Sequence, residues 1–152
     1  MANTYTQIYL HVVFSVKNRE SLISQEIEAE LYPYICGACN NRQHHVHAIG
    51  GTLDHIHMLI GMHPSESISD LIKALKIQSS LWIKEKFGIA NFAWQSGFAA
   101  FSYSKSQLPQ VIKYINHQKE HHKAVSFDNE METIMQRSGL DYNKDYLLKG
   151  VE

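Results

Sequence analysis

The stretch Asp54-His55-Ile56-His57-Met58-Leu59-Ile60 decides how the chain is read. In a strand, successive side chains point to opposite faces, so His55 and His57 share one face while Ile56, Met58 and Ile60 share the other. The three apolar residues call for a cover of helices. The two imidazoles then stand side by side on the uncovered face, an arrangement that suits a divalent ion. Two half-exposed strand histidines without an ion are the plainer reading of the same pattern. Residues 44–50 read as a second short strand, joined to residues 55–62 by Gly50-Gly51-Thr52-Leu53-Asp54 as a hairpin.

Further out, residues 5–16 alternate, with Ile8, Leu10, Val12, Phe14 and Val16 on one side and Tyr9, His11 and Val13 on the other. Lys17-Asn18-Arg19 follows as a polar turn. Ile27, Leu31, Ile35 and Ala38 recur at helical spacing over 24–41, with Pro33 as a flaw. The clearest helix spans 67–87: Ser67 and Asp70 approximate a capping box, and Ile68, Leu71, Ile72, Leu75 and Trp82 form its stripe. Residues 92–104 read as strand. A helix starts after Ser106, takes Pro109 in its first turn and runs to about His122; a last one covers about 128–138. The order β-α-β-β-α-β is the ferredoxin-like α+β arrangement, with helices on one face of an antiparallel sheet and the other face free. We expect one domain over 1–152, with a ferredoxin-like core at 1–105 and C-terminal helices at 106–152.

Of the 152 residues, 44% are hydrophobic and 19% charged, which supports a buried core and excludes general disorder. The formal charge of −1 excludes a globally basic nucleic-acid-coating protein. It hides an uneven distribution: residues 61–119 hold seven lysines against three acidic residues, whereas 120–152 hold four basic and seven acidic ones. No apolar run approaches the ~20 residues of a membrane span, and the first residues lack a secretory signal. Two cysteines make no disulfide framework, so a reducing cytoplasm is expected. Cys36-Gly37-Ala38-Cys39 falls inside the first helix and reads by default as buried small residues.

A second constellation is Tyr114-Ile115-Asn116-His117-Gln118. Positions i and i+4 of a helix share a face, so Tyr114 and Gln118 project together. A phenol oxygen can attack phosphorus and hold a phosphoester, and a glutamine carbonyl can complete a metal site. A tyrosine packed under its helix and a solvated glutamine are the alternative.

Together these residues resemble a known family. His55-Ile56-His57 looks like the histidine-hydrophobe-histidine (HUH) motif, and Tyr114 with Gln118 looks like its single catalytic tyrosine and metal-binding glutamine. Lys17-Asn18-Arg19, Gly51-Thr52-Leu53-Asp54, Lys76 to Ser79-Ser80, Trp94-Gln95-Ser96-Gly97-Phe98, Phe101-Ser102 and His121-His122 fall in the matching order. Over roughly residues 5–135 the chain resembles the single-tyrosine HUH transposases of the insertion-sequence 200/605 family, including those associated with repetitive palindromes. One departure is Phe98, where family members usually have tyrosine.

The resemblance implies a metal-dependent transposase that cuts and rejoins single-stranded DNA at hairpin-bearing element ends. Tyr114 would form a 5′-phosphotyrosine, and His55, His57 and Gln118 would bind Mg²⁺ or Mn²⁺. The enzyme would act as a homodimer, without ATP, in a bacterial or archaeal cytoplasm. Asp54 and His121 are candidates to orient the histidines. Lys17, Arg19, Lys73, Lys76, Lys84 and Lys105 are candidates for phosphate contacts, with a solvated face as the equal alternative for each lysine, and Tyr9 and His11 either touch a base or sit under the last helices. A resident nuclease acting on dispersed palindromes and a non-catalytic nucleic-acid-binding module are the competing readings.

Overall fold

Strand β1 (Tyr9–Ser15) is the centre of the sheet and shows why it needs two covers. Its Val12 and Phe14 point into one apolar cluster and its Val13 into another, and all three are fully buried. The structure, a computed structural model, describes residues 2–143. Strands β2 (His45–Gly51), β3 (His55–Gly61) and β4 (Ala99–Ser102) complete a four-stranded antiparallel sheet in the order β2-β3-β1-β4. With two crossing helices on one face this is the ferredoxin-like arrangement.

Those helices are α1 (Gln25–Asn41) and α2 (Ile68–Phe87). Ser24 caps α1 by accepting from the Ile27 N–H, and Ser67 caps α2 by accepting from the Asp70 N–H. Ile27, Leu31, Ile35 and Cys39 of α1, with Leu71, Ile72, Leu75 and Ile83 of α2, pack on Ile56, Met58 and Ile60. Pro33 lies inside α1 without ending it, on the exposed side. Burial pushes the Cys39 thiol up to about 12, as suits a packing residue rather than a reactive one.

The expectation of a free second face is overturned. Helix α3 (Leu108–Asn116) sets Leu108, Val111 and Ile115 on Ala48 and Leu59. Helix α5 (Phe127–Ser138) sets Phe127 and Met131 on Val13, Ala99 and Phe101. Both helices carry an apolar stripe that has nowhere else to go, so they bury it on the strands. The expected helix to His122 is also broken. His117 leaves helical geometry at φ −111° and ψ 26°, and a single turn, α4 (Gln118–His121), follows.

The strand expected over 92–104 shrinks to four residues. Phe92 and Trp94 turn into the core, where the Trp94 ring meets Phe14 edge-on at 4.9 Å and its Nε1 donates to Ser79 Oγ at 2.9 Å. Gly97, at φ 82°, then turns the chain into β4. The last expected helix begins at Phe127, capped by Ser126. The expected C-terminal segment 106–152 runs past residue 143, so its part at 144–152 lies outside the described residues. Among the described residues no helix is long and apolar enough to cross a membrane.

The seat of α3 depends on a missing side chain. A Cβ on Gly50 of β2 would collide with the Ile115 backbone carbonyl. Gly50→Ala is expected to cost about 1–3 kcal/mol, as overpacking does, read as a lower midpoint in chemical denaturation.

Candidate active site

His55 and His57 emerge from β3 on the face covered by α3, α4 and α5, and they are 1% and 0% exposed. Each imidazole is held from behind through Nδ1. His55 Nδ1 donates to Asp54 Oδ1 at 2.8 Å, with Thr52 Oγ1 at 3.0 Å. His57 Nδ1 lies 2.8 Å from His11 Nε2, and the two rings stack at 5.0 Å. With Nδ1 occupied in this way, both histidines turn Nε2 toward the same space, as metal-binding imidazoles do.

Asp54 is itself fixed. Arg19 Nε donates to Asp54 Oδ2 at 3.2 Å, and its Nη1 donates to Asp128 Oδ1 at 3.0 Å. The guanidinium lies 4.1 Å over the Phe127 ring, which stacks on His55 at 4.0 Å. Burial pushes the Asp54 carboxyl up, but the bonds from His55 and Arg19 outweigh it and hold the carboxyl low. Arg19 thus ties the turn after β1 to the start of α5.

Tyr114 and Gln118 reach this space from α3 and α4. Gln118 Oε1 lies 3.3 Å from His55 Nε2, and the Tyr114 ring stands 5.7 Å from that of His57. The break in the helix at His117 does not separate them, because α4 continues along the same face.

Glu130 is the member that the sequence reading missed. It is 3% exposed, and its carboxylate sits in the middle of the group. Oε1 is 3.2 Å from His57 Nε2, 3.0 Å from His122 Nε2 and 3.8 Å from His55 Nε2. Oε2 accepts from the Tyr114 hydroxyl and from Gln118 Nε2 at 3.1 Å. His121 Nε2 lies 3.3 Å from the same oxygen, so His121 stands against Glu130 rather than behind either strand histidine. The signal was present: Phe127, Glu130, Met131 and Ile134 share one face of α5, so an acidic residue stands inside the apolar stripe.

Burial acts differently on each group. It pushes His57 down to about 4 and His11 down to about 3, so both imidazoles are neutral at pH 7. Burial raises the Glu130 carboxyl too, but bonds from His122, His57 and Tyr114 overcome that and hold it well below the carboxylate range. Burial and the adjacent carboxylate push the Tyr114 phenol well above its ordinary value.

The donor set fits a divalent ion. His55, whose Nδ1–H donates to Asp54, turns the Nε2 lone pair toward Gln118 Oε1 and Glu130 Oε1. A cation between these acceptors satisfies all three. His55, His57, His122 and Glu130 each offer a ligand atom, all within 4.8 Å of one another.

The basic candidates fall elsewhere. Lys76 Nζ donates to the carbonyls of Gln95, at 2.7 Å, and Gly97, and burial lowers it to about 8. Lys73 and Lys76 line a groove of about 610 Å³ with Trp94, Gln95 and Phe98, on the helical side of the sheet. Lys17 and Lys105 are exposed in turns, and Lys84 is half-buried near the end of α2. Tyr9 lies beside His47 at 5.6 Å, near the outer end of β1.

The chain is similar to known proteins. The chain is 28% identical over 129 residues to the transposase for insertion sequence element IS200 of Salmonella typhimurium, covering 81% of this chain and 84% of that one. It is 26% identical over 121 residues to the ISDra2 transposase TnpA of Deinococcus radiodurans, covering 75% and 86%. Its fold is similar to that of a REP-associated tyrosine transposase solved bound to a REP hairpin. The TM-score is 0.61 at 16% identity, over 100% of this chain and 93% of that one. The family model described as "Transposase IS200 like" matches residues 4–118, a span that holds both strand histidines, Tyr114 and Gln118, and the chain belongs to that family of transposases.

Proposed function

We propose that this transposase cleaves and rejoins single-stranded DNA at hairpin-bearing ends, with Tyr114 as nucleophile and a 5′-phosphotyrosine as the intermediate. One observation carries the reading: the Tyr114 hydroxyl and the Nε2 of His57 meet on the same buried carboxylate. A nucleophile and a metal-type imidazole pair therefore lie within one small space of a single chain.

The phenol oxygen attacks phosphorus and gives up its proton, an O–P bond forms, and the bond to the 3′ oxygen breaks as that oxygen takes up a proton and leaves as a 3′ hydroxyl. The 5′ phosphate stays on Tyr114, and a later 3′ hydroxyl reverses the exchange. The phosphoester keeps the energy of the broken bond, so no nucleotide hydrolysis is required. His55, His57 and Gln118 would hold Mg²⁺ or Mn²⁺, which supplies Lewis acidity to the scissile phosphate. Asp54 orients His55, and His11 does the same for His57.

The DNA partner is a hairpin, as in the solved relative bound to a REP hairpin. Lys17, Lys73, Lys84 and Lys105 are the basic residues we assign to its phosphates; Lys76 and Arg19 already serve carbonyls and carboxylates within the protein. The homodimer remains part of this reading, although assembly does not have to supply the tyrosine. Many genomic copies flanked by subterminal hairpins would identify a mobile element, whereas one copy among scattered palindromes would identify the resident form.

The decisive assay incubates the protein with a single-stranded hairpin oligonucleotide and looks for a covalent adduct on a denaturing gel. The adduct is expected with Mg²⁺ or Mn²⁺, to disappear on chelation, and to be absent in Tyr114→Phe. An adduct that persists in Tyr114→Phe removes Tyr114 from its role. A second prediction concerns Asp54→Asn, which should weaken divalent-ion binding about 10–100-fold, the usual effect of losing a partner behind a ligand. Titration calorimetry with the ion alone measures it; unchanged affinity would leave Asp54 without a part in the site.

A further inference from the structure

Glu130 lies beyond residues 4–118, the span matched by the family model, yet its carboxylate holds the centre of the site. A buried carboxylate is costly unless every lone pair is satisfied, so its place calls for a reason. Its two oxygens are divided. Oε1 faces imidazoles, with His122, His57 and His55 at 3.0, 3.2 and 3.8 Å. Oε2 faces Tyr114, Gln118 and His121.

We propose that Glu130 is a ligand of the divalent ion through Oε1 and the holder of the Tyr114 phenol through Oε2. One carboxylate then sets where the nucleophile stands relative to the ion. His122 joins the ligand set from the end of α4. This rests on the reading of the cluster as a metal site and adds a residue supplied by α5. It also changes the charge of that site. An imidazole or an amide that binds an ion brings no charge of its own, so Glu130 contributes the single formal negative charge among these ligands and strengthens the hold on a cation. Docking of α5 and loading of the ion become linked, because a ligand present only when α5 is seated binds the ion only in that state.

The test uses Mn²⁺ alone, read by electron paramagnetic resonance of the free and bound ion, on wild type, Glu130→Gln and His55→Ala. The expected result is loss of binding in His55→Ala and at least tenfold weaker binding in Glu130→Gln. A measurement on wild-type protein removes any dependence on how well the variant folds. With glutamate labelled by ¹³C at the side-chain carboxyl, bound Mn²⁺ should show a strong ¹³C hyperfine coupling. Equal or tighter binding in Glu130→Gln, or no such coupling in the labelled wild type, overturns the role of Glu130. If His55→Ala alone then loses the ion, the metal site stands without Glu130. If wild type binds no Mn²⁺, the metal reading itself falls, and this inference with it.

Discussion

Strand β3 is buried on both faces, and the rest of the molecule follows from that constraint. A strand cannot choose which residues go where: neighbours point opposite ways. Ile56, Met58 and Ile60 are committed to the helices α1 and α2, which forces His55, His57 and Leu59 to the other side. On that side polar groups cannot be left without partners, so the chain has to bring some to them. The C-terminal helices do so, with an apolar part that seals the sheet and a polar part that meets the histidines.

The polar part is organised in layers. Asp54 and His11 stand behind the two imidazoles, and Arg19 stands behind Asp54. Each bond fixes the one in front of it. Asp54 determines which nitrogen of His55 faces inward, and Arg19 holds Asp54 while also covering the Phe127 ring that stacks on His55. The Arg19 backbone itself lies at φ 58°, a left-handed conformation that a non-glycine residue adopts at some cost. The double ion pair and the ring stack offset that cost.

The same network explains how a chain of nearly neutral charge can build a site for a charged substrate. Three of its acidic groups are gathered into the site rather than left on the surface around it. Asp54, Asp128 and Glu130 are tied to Arg19 or to imidazoles around the site. Lys17, Lys73, Lys84 and Lys105, on α2 and in the turns, stand outside that network.

The sequence by itself determined the ferredoxin-like order, the two helices that cover one face, and the two pairs His55 with His57 and Tyr114 with Gln118. These rest on local periodicity, which acts over a few residues and does not depend on distant packing; that the two pairs belong to one site was implied by the resemblance to the transposase family. Tertiary structure alone decided what lies over the second face. Periodicity shows that α3 and α5 have apolar stripes but not which surface receives them. For the same reason the sequence left open whether His11 meets a base or lies under the last helices, and the structure buries it behind His57; Arg19, read as a phosphate contact, turns inward to two carboxylates. Glu130 is the clearest case. It is 73 residues from His57 in the chain, and only the docking of α5 brings its oxygen within 3.2 Å of the imidazole. The sequence marks Glu130 as an acidic residue inside an apolar stripe, but it does not say which imidazoles that residue meets, because the energy that fixes the contact belongs to packing.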